Sequence, residues 1–572
     1  MYTASTALLD AMQEAGISYV FANLGSDHPA FVEAVAKANA EGRAIPKIIT
    51  CPNEMVGLTA AQGFAQVSGV AQAVVVHVEC GTQAMAGAIH NVAKARVPVL
   101  IFAGLSPFTQ EDELRGSRNE FIQWIQDVYD QRGIVREYMK YDNEFRTGKN
   151  VKQITHRALQ FAYSDPKGPV YLVGAREVME EEVDPVAIEP SRWSRVQPTA
   201  LPQGAAETIV DALAGAKRPL IVTSYIGKNP KAVAELVALC GKLGIGVLES
   251  VPNCMNFPHD NELYQGNQWN HPFQNQALAD ADVVLVLDSD VPWIPKVSKP
   301  SESAQIFHID VDPLKQSMPL WYIRAHASYQ ADGATALAQL NAYADTLGAV
   351  AGVEERRAHY AAAHARRAAR IAAAEAKPEG KITPEYLVAC VRKAISPDAI
   401  VLNEGITNYP AVCDHIAPTR PGGFFNSGGG SLGWNGGAAI GAKLAEPDRE
   451  VVALTGDGSY MFTVPSSVHW MAMRYETPFL QVVFNNRGWR APRYSALAVH
   501  PDGFASRSDD INVAFDPPPA YAEIAAASGG AHARQVKDPD ELEAAIAEAL
   551  RVVREEKRSA VLDVWLDHLM EG

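Results

Sequence analysis

Asp457 and Asn486 stand about thirty residues apart, each in a small polar knot that closes an apolar run. The knots are Gly456-Asp457-Gly458 after "EVVALT" and Asn485-Asn486 after "FLQVVF". A carboxylate and an amide oxygen form a hard-oxygen donor set, which suits Mg²⁺ when water and substrate phosphates complete its coordination. Glycines beside Asp457 let the backbone approach a phosphate closely, and Ser459 starts a segment whose free N–H groups favour an anion. The chemistry on offer is a Mg²⁺–diphosphate site.

Two knots can share a ligand only if the elements before them end on the same side. Residues 451–455 read as a strand, 479–484 as the next strand, and 464–475 as the crossover helix between them. A right-handed crossover between parallel strands brings both ends to one carboxyl edge, where α/β sheets bind ligands.

The same alternation runs along most of the chain. "ISYVFAN", "AVVVHVE", "VPVLIFAG", "PLIVTS", "DVVLVLD", "AQIFHIDVD", "AIVLNEG" and "AVLDVWLD" are β-branched runs bounded by Gly, Pro or Asp, separated by helical stretches. Such a pattern predicts an α/β protein with doubly wound parallel sheets. At 572 residues the chain far exceeds the roughly 250–300 that one core serves. Two stretches break the pattern: the Pro- and charge-rich "EEEVDPVAIEPSRWSRVQPTALPQG" and the Ala/Arg-rich 348–383, which reads as an exposed connecting helix. Cuts there predict three domains, 1–182, 200–345 and 380–572.

A formal net charge of −16 argues against nucleic acid or an anionic membrane as the main partner. Six scattered cysteines, without C-x-x-C or zinc spacing, suit a reducing compartment. The first residues lack a basic n-region and no window approaches a membrane span, so a cytoplasmic protein is expected.

GDG followed after 25–30 residues by NN resembles the signature of thiamine-diphosphate enzymes of the 2-oxo-acid decarboxylase and acetolactate synthase family. The resemblance spans the chain. It implies pyrimidine-binding, middle and diphosphate-binding domains, with thiamine diphosphate and Mg²⁺ as cofactors. It assigns Asp457, Asn486 and the Gly488 carbonyl to the metal, and Gly458, Ser459 and Thr407 to the diphosphate. Within Gly430-Ser431-Leu432-Gly433, Leu432 would wedge the cofactor into its bent form, with Gly430 beside it. Glu54 in "CPNEMVGLTAAQGFA" would protonate the aminopyrimidine N1′ and so activate the C2 ylide. Because Glu54 would serve the cofactor of a second subunit, the resemblance also implies a homodimer or homotetramer.

The pattern is most similar to benzoylformate decarboxylases, with "ANLGSDH" and "VHVECGT" standing where that family reads "GNPGSNE" and "LHSAAGT". Ser26 would hold the substrate carboxylate and His77 would relay protons, a task suited to a pKa near neutrality. The chain departs in three places. The family's second histidine is missing near "DSDVPWIPKVSKP", the His-His pair of pyruvate decarboxylases is absent, and Pro492 replaces their glutamate after NN. These departures weaken a simple pyruvate decarboxylase and favour carboligation or acyloin cleavage. "NEGITN" also resembles relatives acting on CoA thioesters, so a 2-hydroxyacyl-CoA lyase is the alternative function, with a non-catalytic cofactor-binding homologue a distant third. Arg490 and Arg493, in a long segment after the metal motif, suit a carboxylate or phosphate. Glu79 and Gln123 read as structural. Asp310 and Asp312 end a middle-domain strand where some relatives bind flavin or ADP, but strand-end capping explains them equally well, no G-x-G-x-x-G is present, and no functional flavin is expected.

Overall fold

The computed structural model describes residues 2–571. Among these described residues, eighteen strands are ordered into three parallel six-stranded sheets. The first holds β1 (Tyr19–Ala22), β2 (Lys47–Thr50), β3 (Ala73–Val76), β4 (Val99–Leu105), β5 (Tyr141–Phe145) and β6 (Pro169–Ala175), in the order β2-β1-β3-β4-β6-β5. The second holds β7 (Pro219–Thr223), β8 (Gly246–Ser250), β9 (Tyr264–Gln268), β10 (Val283–Leu287), β11 (Gln305–Asp310) and β12 (Ala327–Gln330), in the order β12-β11-β10-β7-β8-β9. The third holds β13 (Ile400–Glu404), β14 (Phe424–Asn426), β15 (Val451–Gly456), β16 (Leu480–Asn485), β17 (His532–Val536) and β18 (Ala560–Trp565), in the order β14-β13-β15-β16-β18-β17. Order reversals next to each first strand are those of doubly wound α/β folds, as the alternating pattern predicts.

Packing groups the chain into two compact units: 1–196 with 427–535 and 547–564, and 197–426 with 536–546 and 565–572. In the second unit the Ala/Arg-rich stretch forms the Val353–Ala374 helix, with only Arg356 and Tyr360 buried. Among the described residues no helix is long and apolar enough to cross a membrane.

In the first unit, one seam fixes the elements that carry the candidate site. The Glu54–Ser68 helix starts at Asn53, whose side chain accepts from Met55 N and Val56 N, and ends at Gly69 in the left-handed region. Residues Val56–Ala65 are all buried, many of them small, and the helix packs on the Asn435–Ala445 helix. A Cβ at Gly63, Gly437 or Gly441 would fall well inside 3.0 Å of Ala438 O, Thr59 Oγ1 or Ala60 O respectively. These glycines are needed for close approach, since the obstacle at Gly63 and Gly441 is backbone that cannot swing away. Gly441→Ala is expected to cost about 3 kcal/mol or more, the upper end for overpacking. A chemical denaturation midpoint that falls while the spectrum of the folded state is kept would show it.

Candidate functional site

β15 and β16 pair in parallel, with Thr455 opposite Val483 and Gly456 opposite Phe484. Every residue of both strands except the terminal Gly456 is buried, which holds the two ends in register. Asp457 and Asn486 leave the sheet one residue beyond those ends. The chain between them forms the Asp457–Phe462 helix and then the Pro465–Arg474 helix. Helical structure thus starts at Asp457, two residues before the expected Ser459.

Asp457 is buried, and its oxygens accept from Gly458 N (2.7 Å) and Gly488 N (2.9 Å). The side-chain oxygen of Asn486 lies 2.7 Å from Gly488 O and 3.3 Å from Asp457 Oδ2. An oxygen facing two other oxygens is repelled unless the amide turns over to donate or a cation sits among them. One carboxylate, one amide oxygen and one carbonyl are the donor types a hard divalent cation selects, so the residues present fit such an ion. Burial pushes the Asp457 carboxyl up to about 7, against the pull of the Gly488, Gly458 and Arg487 N–H groups. A cation at these oxygens would reverse that trend.

The turn that presents Gly488 is held from behind. Asn485 donates to Asp563 Oδ1 on β18 (2.7 Å) and accepts from Arg487 N (3.1 Å). Arg487 adopts φ +63 and Gly488 φ +146, so the turn depends on these bonds. Ser459 Oγ is buried without a hydrogen-bond partner. The Trp489 indole covers Gly458, where a Cβ would meet the ring. Beyond it, Trp489 N donates to Val513 O (2.9 Å), Phe515 N donates to Arg487 O (2.8 Å), and Gly488 bridges Ala514. The segment from Arg490 to Asn512, including the Arg490–Val499 helix with no buried residue, is therefore an excursion closed at its base. It carries Arg490 and Arg493.

Leu432 is half-buried on a loop clamped by Asn91. Asn91 Nδ2 donates to Ser431 O (2.8 Å), its Oδ1 accepts from Ser431 N (3.1 Å), and Gly430 N donates to His90 Nε2 (3.2 Å). Open space surrounds the position a Gly430 Cβ would take. Gly433, at φ +95, lies against Phe462 O and Met55, next to Glu54 in the chain. Glu54 is half-buried at the first position of its helix, and a Cβ at Gly81 would lie 3.2 Å from its Oε1. Thr407 stands in the second unit, half-buried on the Ile406–Asn408 turn after β13, preceded by Ile406 at φ +54.

His77 follows β3 as the residue before the Val78–Ala84 helix and is joined by Asp27, which the sequence reading did not single out. Asp27 Oδ1 lies 2.5 Å from His77 Nδ1 and 2.9 Å from His28 Nδ1, and Oδ2 accepts from Val78 N (3.0 Å). His77 Nε2 lies 3.1 Å from Gln126 Oε1. Burial alone would raise the Asp27 carboxyl, but His28 and His77 outweigh it and hold it well below the usual carboxylate range. The bond to Asp27 in turn raises His77, with burial opposing and Glu54 adding to the rise. The ligand-type atoms of Asp27, His28 and His77 all lie within 4.8 Å, but the 2.5 and 2.9 Å separations are those of hydrogen bonds. Ser26 Oγ is buried without a partner. Val78 has φ +29, an outlying conformation for a β-branched residue.

Glu79 is buried and accepts from Gln83 and Cys80, while Gln123 accepts from Asn119 N and Glu120 N. Both bind their own local segment. In the second unit Asp310 pairs with the buried Lys315 (2.5 Å), which also holds Asp290 (2.8 Å), and Asp312 N donates to Asp310.

Three family descriptions match the chain: "Thiamine pyrophosphate enzyme, N-terminal TPP binding domain" at residues 2–134, the central domain at 206–349, and the C-terminal TPP binding domain at 405–564. Among curated proteins the chain is 24% identical to a benzoylformate decarboxylase of Pseudomonas aeruginosa, over 87% of this chain and 88% of that one. It is also 24% identical to the acetolactate synthase isozyme 3 large subunit of Escherichia coli (77% and 75%) and to a 2-hydroxyacyl-CoA lyase of Arabidopsis thaliana (77% and 76%). A solved Rhodococcus jostii thiamine diphosphate-dependent 4-hydroxybenzoylformate decarboxylase shares the fold, with TM-score 0.78, 21% identity and 99% of each chain covered.

Proposed function

The chain belongs to the thiamine pyrophosphate enzyme family, and on that premise we propose that it cleaves the bond between the carboxylate and carbonyl carbons of a 2-oxo acid, releasing CO₂. The observation that carries this reading is His77, a half-buried imidazole with an oxygen against each ring nitrogen, close enough to Glu54 to feel its charge. A group so placed can hold a proton and return it to carbon or oxygen.

When bound, thiamine diphosphate supplies a carbon nucleophile and an electron sink for the breaking bond. Asp457, Asn486 and the Gly488 carbonyl would hold Mg²⁺ against the diphosphate. Gly458 would bring backbone close, and the Ser459 hydroxyl, otherwise without a partner, would donate to the diphosphate. Gly430 and Leu432 would line the thiazolium. Glu54 would keep a proton on the cofactor's aminopyrimidine ring nitrogen. Ser26 would donate its hydroxyl proton to the substrate carboxylate, and His77 would exchange a proton at Nε2.

The protein would act as a homodimer or homotetramer. Phe121 (76% exposed), Ile125 (73%) and Tyr129 offer an apolar surface of the first unit that a second copy would cover. A sedimentation mass of two or four chains is expected, and a stable monomer with bound cofactor would overturn this.

CO₂ release is measured over a panel of 2-oxo acids with Mg²⁺ and thiamine diphosphate, beside Glu54→Gln. Release from at least one acid, lost in the variant, is expected, and product analysis separates a free aldehyde from a carboligated hydroxyketone. No release from any acid would sink the reading and direct assays to acyloins and 2-hydroxyacyl-CoA thioesters.

A further inference from the structure

We propose that Asp27 is the positioning residue of His77, fixing the imidazole's orientation and tautomer so that Nε2 is the nitrogen that takes and gives the proton. The inference rests on the decarboxylase reading of the site.

One carboxylate grips both the ring and the backbone beside it. Asp27 Oδ1 meets His77 Nδ1 at 2.5 Å, while Oδ2 takes the N–H of Val78 at 3.0 Å. An ionised carboxylate only accepts, so Nδ1 must carry hydrogen whether the ring is charged or neutral. Nε2 is thereby left as the exchanging nitrogen, and Gln126 Oε1, 3.1 Å away, accepts its hydrogen when the ring is protonated. Val78 is held at φ +29, an outlying conformation that persists only where the surroundings impose it. Room for the pair is made by two glycines. A Cβ at Gly25 would fall well inside 3.0 Å of the His77 ring, and one at Gly104 well inside 3.0 Å of the Asp27 carboxylate. Close packing against both partners leaves neither free to turn.

The charged and titratable groups facing the pair are His28, which shares Asp27 Oδ1, Glu54, whose charge reaches His77, and Tyr171, pushed up to about 12 by burial and therefore neutral. His28 Nε2 is buried without a partner, so His28 has no second acceptor through which to relay a proton.

The test uses ¹⁵N-histidine NMR of the resting holoenzyme, with His77 assigned by its loss in His77→Asn. The expected result is an Nδ1–H at His77 throughout the titration, with only Nε2 losing its proton as pH rises. A neutral His77 carrying its hydrogen on Nε2 would overturn the inference with no variant needed. In Asp27→Asn, His77 should titrate at lower pH, the matching limb of the kcat/KM profile should move down with it, and kcat should fall about 10²-fold or more. A His77 unchanged in tautomer and titration in that variant also overturns the inference. The NMR result needs no substrate, so a protein that keeps the Nδ1–H yet releases no CO₂ refutes the decarboxylase reading and leaves the pairing intact.

Discussion

Glu54→Gln is expected to lower kcat by about 10²- to 10⁴-fold, which corresponds to about 3–5 kcal/mol of barrier. The stability cost should be far smaller. A glutamate at the first helical position can serve the helix dipole, an effect worth about 0.3–1 kcal/mol at the surface. Here Asn53 already satisfies the Met55 and Val56 N–H groups, so the Glu54 carboxylate is not their cap. Glutamine keeps the shape and hydrogen-bonding reach but cannot hold an acidic proton. Matched unfolding curves with a collapsed turnover would place Glu54 in proton transfer. A variant that loses stability in proportion to activity would place it in the helix.

Asp457→Asn should separate cofactor binding from folding in the opposite sense. In wild type, Mg²⁺ and thiamine diphosphate at a hundredfold excess over Kd should stabilise the protein by about 2.7 kcal/mol. The variant should lose that increment, because an amide is a weak substitute for the one carboxylate among the three donors. Without ligands, the variant should be as stable as wild type or more so. The folded-state pKa of Asp457 lies above its ordinary value, so its ionisation destabilises the ligand-free fold. That penalty is absent below about pH 4, grows towards pH 7, and is constant above. Thermal shifts with and without the two ligands, at pH 5 and pH 8, measure both effects. An undiminished ligand shift in Asp457→Asn would remove Asp457 from the metal site.

What the sequence disclosed follows from how local each interaction is. β15 and β16 are continuous apolar runs closed by polar knots, so both strands and their shared edge were legible, and with them the placing of Asp457 beside Asn486, whereas Gly488 entered only through the family resemblance. β8 and β6 were not among the runs read as strands. Glu249 in β8 is buried at 1% exposure, which is tolerable only because Asn256, His259 and Tyr264 all bond to it. Tyr171 interrupts β6, and its buried hydroxyl is matched by Thr82 and Gln131. Those partners arrive from other elements, and no periodicity announces them. Asp27 was hidden for the same reason: it neighbours Ser26 in the chain, but its meaning comes from His77, fifty residues on. Asn91 likewise reads as an ordinary helix residue until the Gly430–Gly433 loop folds onto it.

The excursion between Trp489 and Val513 behaves as an exchangeable cassette. Its base is a short backbone ladder at Arg487–Trp489 and Val513–Phe515, built from N–H and C=O groups that any sequence supplies. Closing a loop of twice the length costs only about 0.6 kcal/mol more. Descendants of this chain can therefore lengthen, shorten or recompose that stretch while the turn that carries Asn486 and Gly488 stays as it is.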